Sequence, residues 1–291
     1  MRHGTLRRSY SLLMKRAGRL LFAVVPLFTV AACFVVPGES GGGARSDGRS
    51  ATPEARAAGL DAPEKKELAQ RIVSSAENSS LDWRGQYDYI EDIDDGRGYT
   101  AGIIGFTTGT HDLLVLVERY TKSHPGKGNA LARYLPALRE VDGSESHEGL
   151  GSGFVSAWKA ESRKAAFQRA QDSERDRVYF DPAVRIAKRD GLGVLGQFIY
   201  YDAMVMHGPG NDPGFYGIRK RAVAQADTPA EGGDEKAYLD IFLDMRRETM
   251  KDEGRDTSRV DTAQRRFLYD GNLDLDTPLK WKVYGQSYEV K

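Results

Sequence analysis

Glu77 and Asp95 are the two side chains whose types and settings suit a shared reaction. Glu77 lies one helical turn beyond Val73, at the margin of an apolar helix face, and partial desolvation favours the protonated form of a carboxyl group. Asp95 lies in the acidic, glycine-studded stretch Glu91-Asp92-Ile93-Asp94-Asp95-Gly96-Arg97-Gly98, which forms turns and faces solvent or a ligand, because so many carboxylates cannot all be buried. One carboxyl kept as an acid and one kept as a base is the requirement of glycoside hydrolysis. By itself the pair is weak evidence. The chain holds 42 acidic residues, most of them expected on the solvated surface, so Glu77 also reads as a helix-surface acid and Asp95 as a turn former.

Other chemistries find less support. Asp92-Ile93-Asp94-Asp95-Gly96 resembles a calcium loop, but its glycine falls one position early, so no metal is expected. His111, His124 and His147 lack paired zinc-ligand spacing, and His207 reads as a satisfied structural histidine. Gly105-Phe106-Thr107-Thr108-Gly109-Thr110 lacks the lysine that would complete a phosphate loop, and no Gly-x-Ser-x-Gly elbow supports acyl transfer. No cofactor is expected.

The elements that position the pair follow from periodicity. Asp61-Ala62-Pro63-Glu64 reads as a helix start with Asp61 as the cap, and Leu68, Ile72, Val73 and Ala76 give a buried stripe running to about Asn78. An aromatic-rich segment, 83–90, leads into the acidic loop, and Tyr99 to Phe106 reads as a short strand or hairpin broken by glycines. Helical patterns then cover 112–121, 130–140, 154–174, 182–206, 217–226, 235–252 and 258–269, followed by an irregular or briefly extended tail over 273–288. Asp202 falls inside the most apolar of these helices. A buried aspartate needs partners, and Arg246 and Arg259 are the candidates.

The N-terminal region stands apart. A basic stretch ending at Arg19 precedes the apolar run Leu20 to Val36, interrupted by Pro26, which is a secretory signal pattern. Arg7-Arg8 resembles a twin-arginine signal, and Val30-Ala31-Ala32-Cys33 resembles a lipoprotein box, although the apolar residues after Cys33 fit the latter poorly. Residues 1–57 are therefore expected to be a signal peptide and disordered spacer, with 58–291 a single catalytic domain of two lobes. Cys33 is the only cysteine, so the domain forms no disulfide. The whole chain is neutral, but removing 1–57 leaves 33 basic and 39 acidic residues, a formal charge of −6. A mildly acidic body argues against nucleic acid and permits a cationic partner.

Longer motifs carry a resemblance. Ser74-Ser75-Ala76-Glu77-Asn78-Ser79-Ser80-Leu81-Asp82-Trp83, Asp95-Gly96-Arg97-Gly98-Tyr99-Thr100-Ala101-Gly102-Ile103-Ile104-Gly105-Phe106, Glu174-Arg175-Asp176-Arg177-Val178-Tyr179-Phe180-Asp181-Pro182-Ala183 and His207-Gly208-Pro209-Gly210-Asn211-Asp212 are similar to the glycoside hydrolase family 46 chitosanases of actinobacteria, over about Ala58 to Tyr288. The resemblance implies an α+β, predominantly α-helical, two-lobed lysozyme-like fold with a small β element and a central cleft. It implies a monomeric, secreted endo-acting enzyme that inverts the anomeric centre of chitosan. Glu77 would be the general acid, Asp95 the general base and Thr100 a holder of the attacking water. Asp202, Arg246 and Arg259 would form a charge network around Glu77. Asp112, Glu253, Tyr89 and Arg97 would bind substrate, while Trp83, Trp158 and Trp281 would be core residues. This chain departs from the pattern in having Asp94 and His111 where small residues stand before Asp95 and Asp112, and in a slightly longer loop at Gly126-Lys127-Gly128. Two other readings remain open: a non-catalytic surface protein that binds cationic glycan, lipid-anchored through Cys33, and a lysozyme-like muramidase or chitinase.

Overall fold

Helix α1 spans Pro63–Glu77 in a computed structural model that describes residues 59–291. The expectations for residues 1–57, including the signal pattern and Cys33, lie outside the described residues. The buried face of α1 carries Leu68, Ala69, Ile72, Val73 and Ala76, as the spacing predicts. Its cap is Ala62 rather than Asp61. The Asp61 carboxylate is held instead by the Lys188 ammonium at 2.7 Å, and Pro63 takes the first helical position, where its missing N–H costs nothing.

The acidic stretch is a hairpin connection. Strands β1 (Ile90–Asp92), β2 (Tyr99–Ala101) and β3 (Phe106–Thr107) form an antiparallel sheet in that order, with Asp92 opposite Tyr99 and Thr100 opposite both Glu91 and Thr107. Asp95 and Arg97 therefore project from the β1–β2 loop, and Thr100 sits at the centre of the sheet. Gly98 closes that loop at φ +68°, and a Cβ there would meet the backbone oxygens of Ser144 at 3.3 Å and Glu145 at 3.4 Å. Only glycine fits both demands.

The first lobe continues with α2 (Asp112–Ser123), α3 (Leu135–Val141), α4 (Ser152–Glu161) and α5 (Ala165–Arg175). The single helix expected over 154–174 is two helices. The chain turns at Ser162, whose hydroxyl donates to the Tyr87 carbonyl, and this brings Phe167 edge-on against Trp158 with ring centres 5.0 Å apart. A π-helical turn, Asp176–Phe180, leads to the second lobe: α6 (Asp181–Arg189), α7 (Val194–His207), α8 (Phe215–Val223), α9 (Glu235–Asp252), a π-helical turn at Arg259–Gln264 and α10 (Arg265–Tyr269). The long pattern over 182–206 also divides. Gly191 at φ +79° ends α6, and the Leu192 N–H returns to the Ala187 carbonyl in a left-handed cap.

The tail is more regular than its sequence suggests, forming a hairpin of β4 (Leu279–Val283) and β5 (Gln286–Val290). Tyr284 and Gly285 at its tip have φ values of +50° and +78°, the double left-handed turn that suits two-residue hairpins. Trp281 from β4 is buried, and its indole N–H donates to Ser75 Oγ of α1 at 2.9 Å. The last strands thus brace the helix that ends in Glu77.

Helix α2 packs with α3 and α5, and α4 packs on β1; α7 packs with α6, α8 and α9, and β4 packs on the turn at 259–264. The 176–180 turn touches α5, α6 and α7 and so joins the lobes, while α1 packs on α7. This is an α-rich α+β fold of two lobes. Gly98→Ala is expected to cost about 1–2 kcal/mol from the left-handed backbone alone and to lower activity by displacing the β1–β2 loop. Thermal unfolding and turnover measured together check this, and wild-type values for both would contradict it.

Candidate active site

Asp202 lies at the centre of a buried charge network. It sits on α7, one of the most deeply buried helices, with 1% of its surface exposed. Arg259 donates through Nε at 2.9 Å to Oδ2 and through Nη2 at 2.7 Å to Oδ1. Arg246 Nη2 lies 2.7 Å from Oδ2, and Gln264 Nε2 donates to the same oxygen at 2.5 Å. Burial alone pushes this carboxyl group up, but attraction to Arg259 and Arg246 overrides it and holds the pKa at about 2. The π-helical turn at 259–264 makes the arrangement possible by carrying both Arg259 and Gln264 to Asp202.

Glu77 is the outer end of this network. Arg259 Nη1 donates to Glu77 Oε1 at 2.6 Å, so one planar guanidinium bridges two carboxylates. The apolar-margin setting expected for Glu77 is thus an ionic anchorage, and the carboxyl remains one-quarter exposed. The other oxygen takes no part in that bond.

On the opposite lobe, Asp95 is partly buried and is held by its own loop. Arg97 donates from its backbone N–H to Oδ1 at 3.1 Å, and from Nε at 2.9 Å and Nη2 at 2.6 Å to Oδ2. Arg97 keeps 43% of its side-chain surface exposed. Desolvation opposes its charge, and the Asp95 carboxylate outweighs that, with Glu77 and Asp112 acting in the same direction. Arg97 therefore places Glu77, Asp95 and Asp112 in one electrostatic neighbourhood. Thr100 is buried on β2, and its hydroxyl finds no hydrogen-bond partner among the described residues.

Asp112 opens α2. Its Oδ1 accepts from the Thr107 N–H and the Thr110 hydroxyl, both at 2.8 Å, and its Oδ2 accepts from the Tyr179 hydroxyl at 2.9 Å. Even so, burial pushes its carboxyl group above the ordinary range. A desolvated carboxylate of this kind is ready to gain from a cation.

The remaining sequence candidates sit further out. Tyr89 precedes β1, and its carbonyl accepts from the Gly102 N–H. Glu253 caps α9 and contacts Arg255 at 3.0 Å, on the second lobe with the Asp202 network rather than with Asp95. His207 is not the fully satisfied residue expected. Its Nε2 accepts from Arg246 Nε at 3.3 Å, which assigns the proton to Nδ1, but Nδ1 has no partner among the described residues. Burial and the neighbouring Arg246 hold its pKa well below the ordinary range, so the ring is neutral.

Three neighbours were not singled out from sequence: Gln264, Tyr179 and Tyr284. Tyr284, on the β4–β5 tip, has its hydroxyl pKa raised by burial and feels Arg259, Glu77 and Asp202. The pairing of Tyr284 with Gly285 was the available hairpin signal. No group of three or more metal-binding side chains occurs among the described residues.

The Asp202 carboxyl is depressed in the folded state, so its contribution to stability is present above about pH 3.8 and fades as pH falls towards 2. Asp202→Ala leaves two buried guanidiniums short of a counter-charge and is expected to cost about 3–5 kcal/mol near neutrality. Chemical denaturation should show that deficit shrinking below about pH 3.8. A deficit constant from pH 7 to 2.5 would contradict the linkage.

The family description "Glycosyl hydrolase family 46" matches residues 71–279. Chitosanase of Streptomyces sp. (strain N174) is 63% identical over 236 residues, covering 80% of this chain and 84% of the relative. Chitosanase of Nocardioides sp. (strain N106) is 60% identical over 237 residues, with the same coverage. Among solved structures, a co-crystal of chitosanase OU01 with substrate superposes with a TM-score of 0.78 at 54% identity, covering 80% of this chain and 99% of that one. The chain belongs to glycosyl hydrolase family 46.

Proposed function

We propose that this family 46 hydrolase is a secreted, monomeric, endo-acting chitosanase that cleaves β-1,4 links with inversion, using Glu77 as acid and Asp95 as base. The observation that carries the reading is the pair of anchorages: Glu77 fixed by Arg259 from one lobe, Asp95 fixed by Arg97 from the other, with Arg97 sensing both. Rigidly held carboxyl groups on opposing walls suit a reaction that needs them on opposite faces of one sugar ring.

In this mechanism Glu77 transfers a proton to the glycosidic oxygen as its bond to C1 breaks. Arg259 keeps Oε1 and fixes the direction of the proton-bearing oxygen. Asp95 removes a proton from a water that attacks C1 from the opposite face, and the product carries the inverted hydroxyl. Inverting enzymes separate their carboxyl groups by about 6.5–9.5 Å to admit that water. Thr100, with a hydroxyl not engaged elsewhere, is suited to hold it. Arg97 must share Asp95 with the water, so it acts on the base as well as on the substrate.

Recognition of a polycation follows from carboxylates that lack a full counter-charge. Asp112 is the strongest case, because burial disfavours its anion until an ammonium arrives. Glu253, Tyr89 and Arg97 extend the contact surface. A muramidase or chitinase would gain nothing from such a group, and a non-catalytic glycan binder would not need two anchored carboxyls. The relatives named chitosanase support the same choice.

Purified mature protein is expected to release reducing ends from highly deacetylated chitosan and little from chitin or peptidoglycan. Glu77→Gln and Asp95→Asn should each lower kcat by roughly 10²–10⁴-fold. Proton NMR of the first products should show the α-anomer. Substantial activity in Glu77→Gln, or the β-anomer appearing first, would overturn the assignment.

A further inference from the structure

Two histidines that the mechanism does not use cross the same seam. The segment 142–150 joins α3 to α4 and lies against both the loop that carries Asp95 and the turn that precedes Asp112. Its backbone is close-fitted there: the Gly143 N–H donates to the Thr108 carbonyl at 3.0 Å, and the Ser144 and Glu145 carbonyl oxygens leave little room for a side chain at position 98. At one end of the segment, Asp142 Oδ2 lies 2.6 Å from His111 Nδ1, and His111 is the residue directly before Asp112. Further along, the His147 ring lies tilted at 30° against Tyr99 of β2 with ring centres 4.3 Å apart, and its Nε2 lies 3.3 Å from Asp92 Oδ2 of β1. That second contact is a close approach of a polar ring nitrogen to a carboxylate rather than an aligned hydrogen bond, since Nε2 makes none among the described residues.

His111 holds its place at a conformational cost. Its φ is +73°, the left-handed region that side-chain-bearing residues avoid, and it caps α2 without a side-chain hydrogen bond to the helix. Packing does not force it there, because 62% of its side chain is exposed. The Asp142 contact is the interaction that compensates, and it fixes the first turn of α2, where Thr107, Thr110 and Asp112 are bonded together. His147 fixes the other side, at the two strands from which the Asp95 loop springs.

We propose that segment 142–150 is a clasp that sets the spacing between the general base and the ammonium-reading aspartate, with His111 and His147 as positioning residues acting through Asp142 and Asp92. The division of labour follows from attachment. His111 governs the backbone of Asp112 and hence substrate affinity, whereas His147 governs the root of the Asp95 loop and hence turnover. This deepens the proposed function and rests on Asp95 being the base and Asp112 a substrate ligand.

The test uses the whole mature enzyme, glucosamine oligomers, and four variants measured for kcat, KM and thermal unfolding. His111→Gly removes the contact while relieving the left-handed backbone, so KM should rise roughly three- to tenfold with kcat and stability held. His147→Phe keeps the ring contact with Tyr99 but loses the polar approach to Asp92, so kcat should fall roughly three- to tenfold with KM held, and His147→Gln, whose amide N–H can approach the same carboxylate, should restore most of it. If His111→Gly and His147→Phe change the same constant, if either leaves both constants at wild-type values, or if His147→Gln is no better than His147→Phe, the clasp is overturned. Asp95→Asn separates the two ideas: retained activity there removes the base assignment itself, while an inactive Asp95→Asn beside an unaffected His147→Phe removes only the clasp.

Discussion

The interaction on which the site depends is the one between Asp202 and its two arginines. A carboxylate with 1% exposure inside an apolar helix would be intolerable alone, and two guanidiniums in the same place would be worse. Together, with Gln264 completing the donors to Asp202, they form a charged island inside the second lobe. Arg259 is the member that reaches the surface of that island, and it spends its remaining donor on Glu77. The position of Glu77 is thereby fixed by groups from α7, α9 and the 259–264 turn, not by the end of its own helix, where a side chain would otherwise sample several rotamers. His207 completes the logic. As a neutral acceptor for Arg246 it adds no further charge to a region already holding two cations.

Chain order and spatial order are related by long closures. The Arg259–Glu77 bond and the Trp281–Ser75 bond each tie the end of the chain to its first helix. The C-terminal hairpin is therefore part of the scaffold that holds Glu77. Tyr284 at its tip stands near the network because a two-residue turn of left-handed residues points it there.

Much of this was legible because the informative residues break local rules. Asp202 is conspicuous as an anion in an apolar helix, and its need for arginines follows from electrostatics alone. The stripe on α1 and the span 235–252 were set by clean periodicity, and the second agrees with α9 at both ends. The failures have a common cause. The patterns over 154–174 and 182–206 predict continuous helices because periodicity alone does not register a break whose hydrogen bonds are supplied by distant groups, such as the Tyr87 carbonyl that accepts from Ser162. Gly191 marks the second break, but the apolar residues further out on each side, Val184 to Ala187 and Leu192 to Ile199, continue one pattern across it. Asp61 lost its capping role to Lys188, a partner more than a hundred positions away that no local window contains. The hairpin reading of 99–106 matches the β2–β3 pair, whereas β1 has no expectation behind it because Ile90–Asp92 is too short to show alternation and runs into turn-forming acids. Motif resemblance carried the residue roles, which spacing could not have assigned.

A site lined by three arginines is at first sight a poor place for a polycation. The geometry resolves this by occupying each one. Arg246 and Arg259 are committed to Asp202 and Glu77 behind the surface, and Arg97 is committed to Asp95 at the surface. What remains to face a glucosamine chain, in the proposed reading, is a carboxylate of the opposite condition. Asp112 accepts from three protein donors and forms no direct ion pair among the described residues, with Arg97 acting on it only at longer range, so its negative charge is positioned but not paired. An acetylated sugar offers it only an amide, whereas a free amine offers the full charge that burial has withheld. Selectivity for deacetylated substrate then arises from a desolvation cost already incurred in folding, which the ammonium group offsets and the amide cannot.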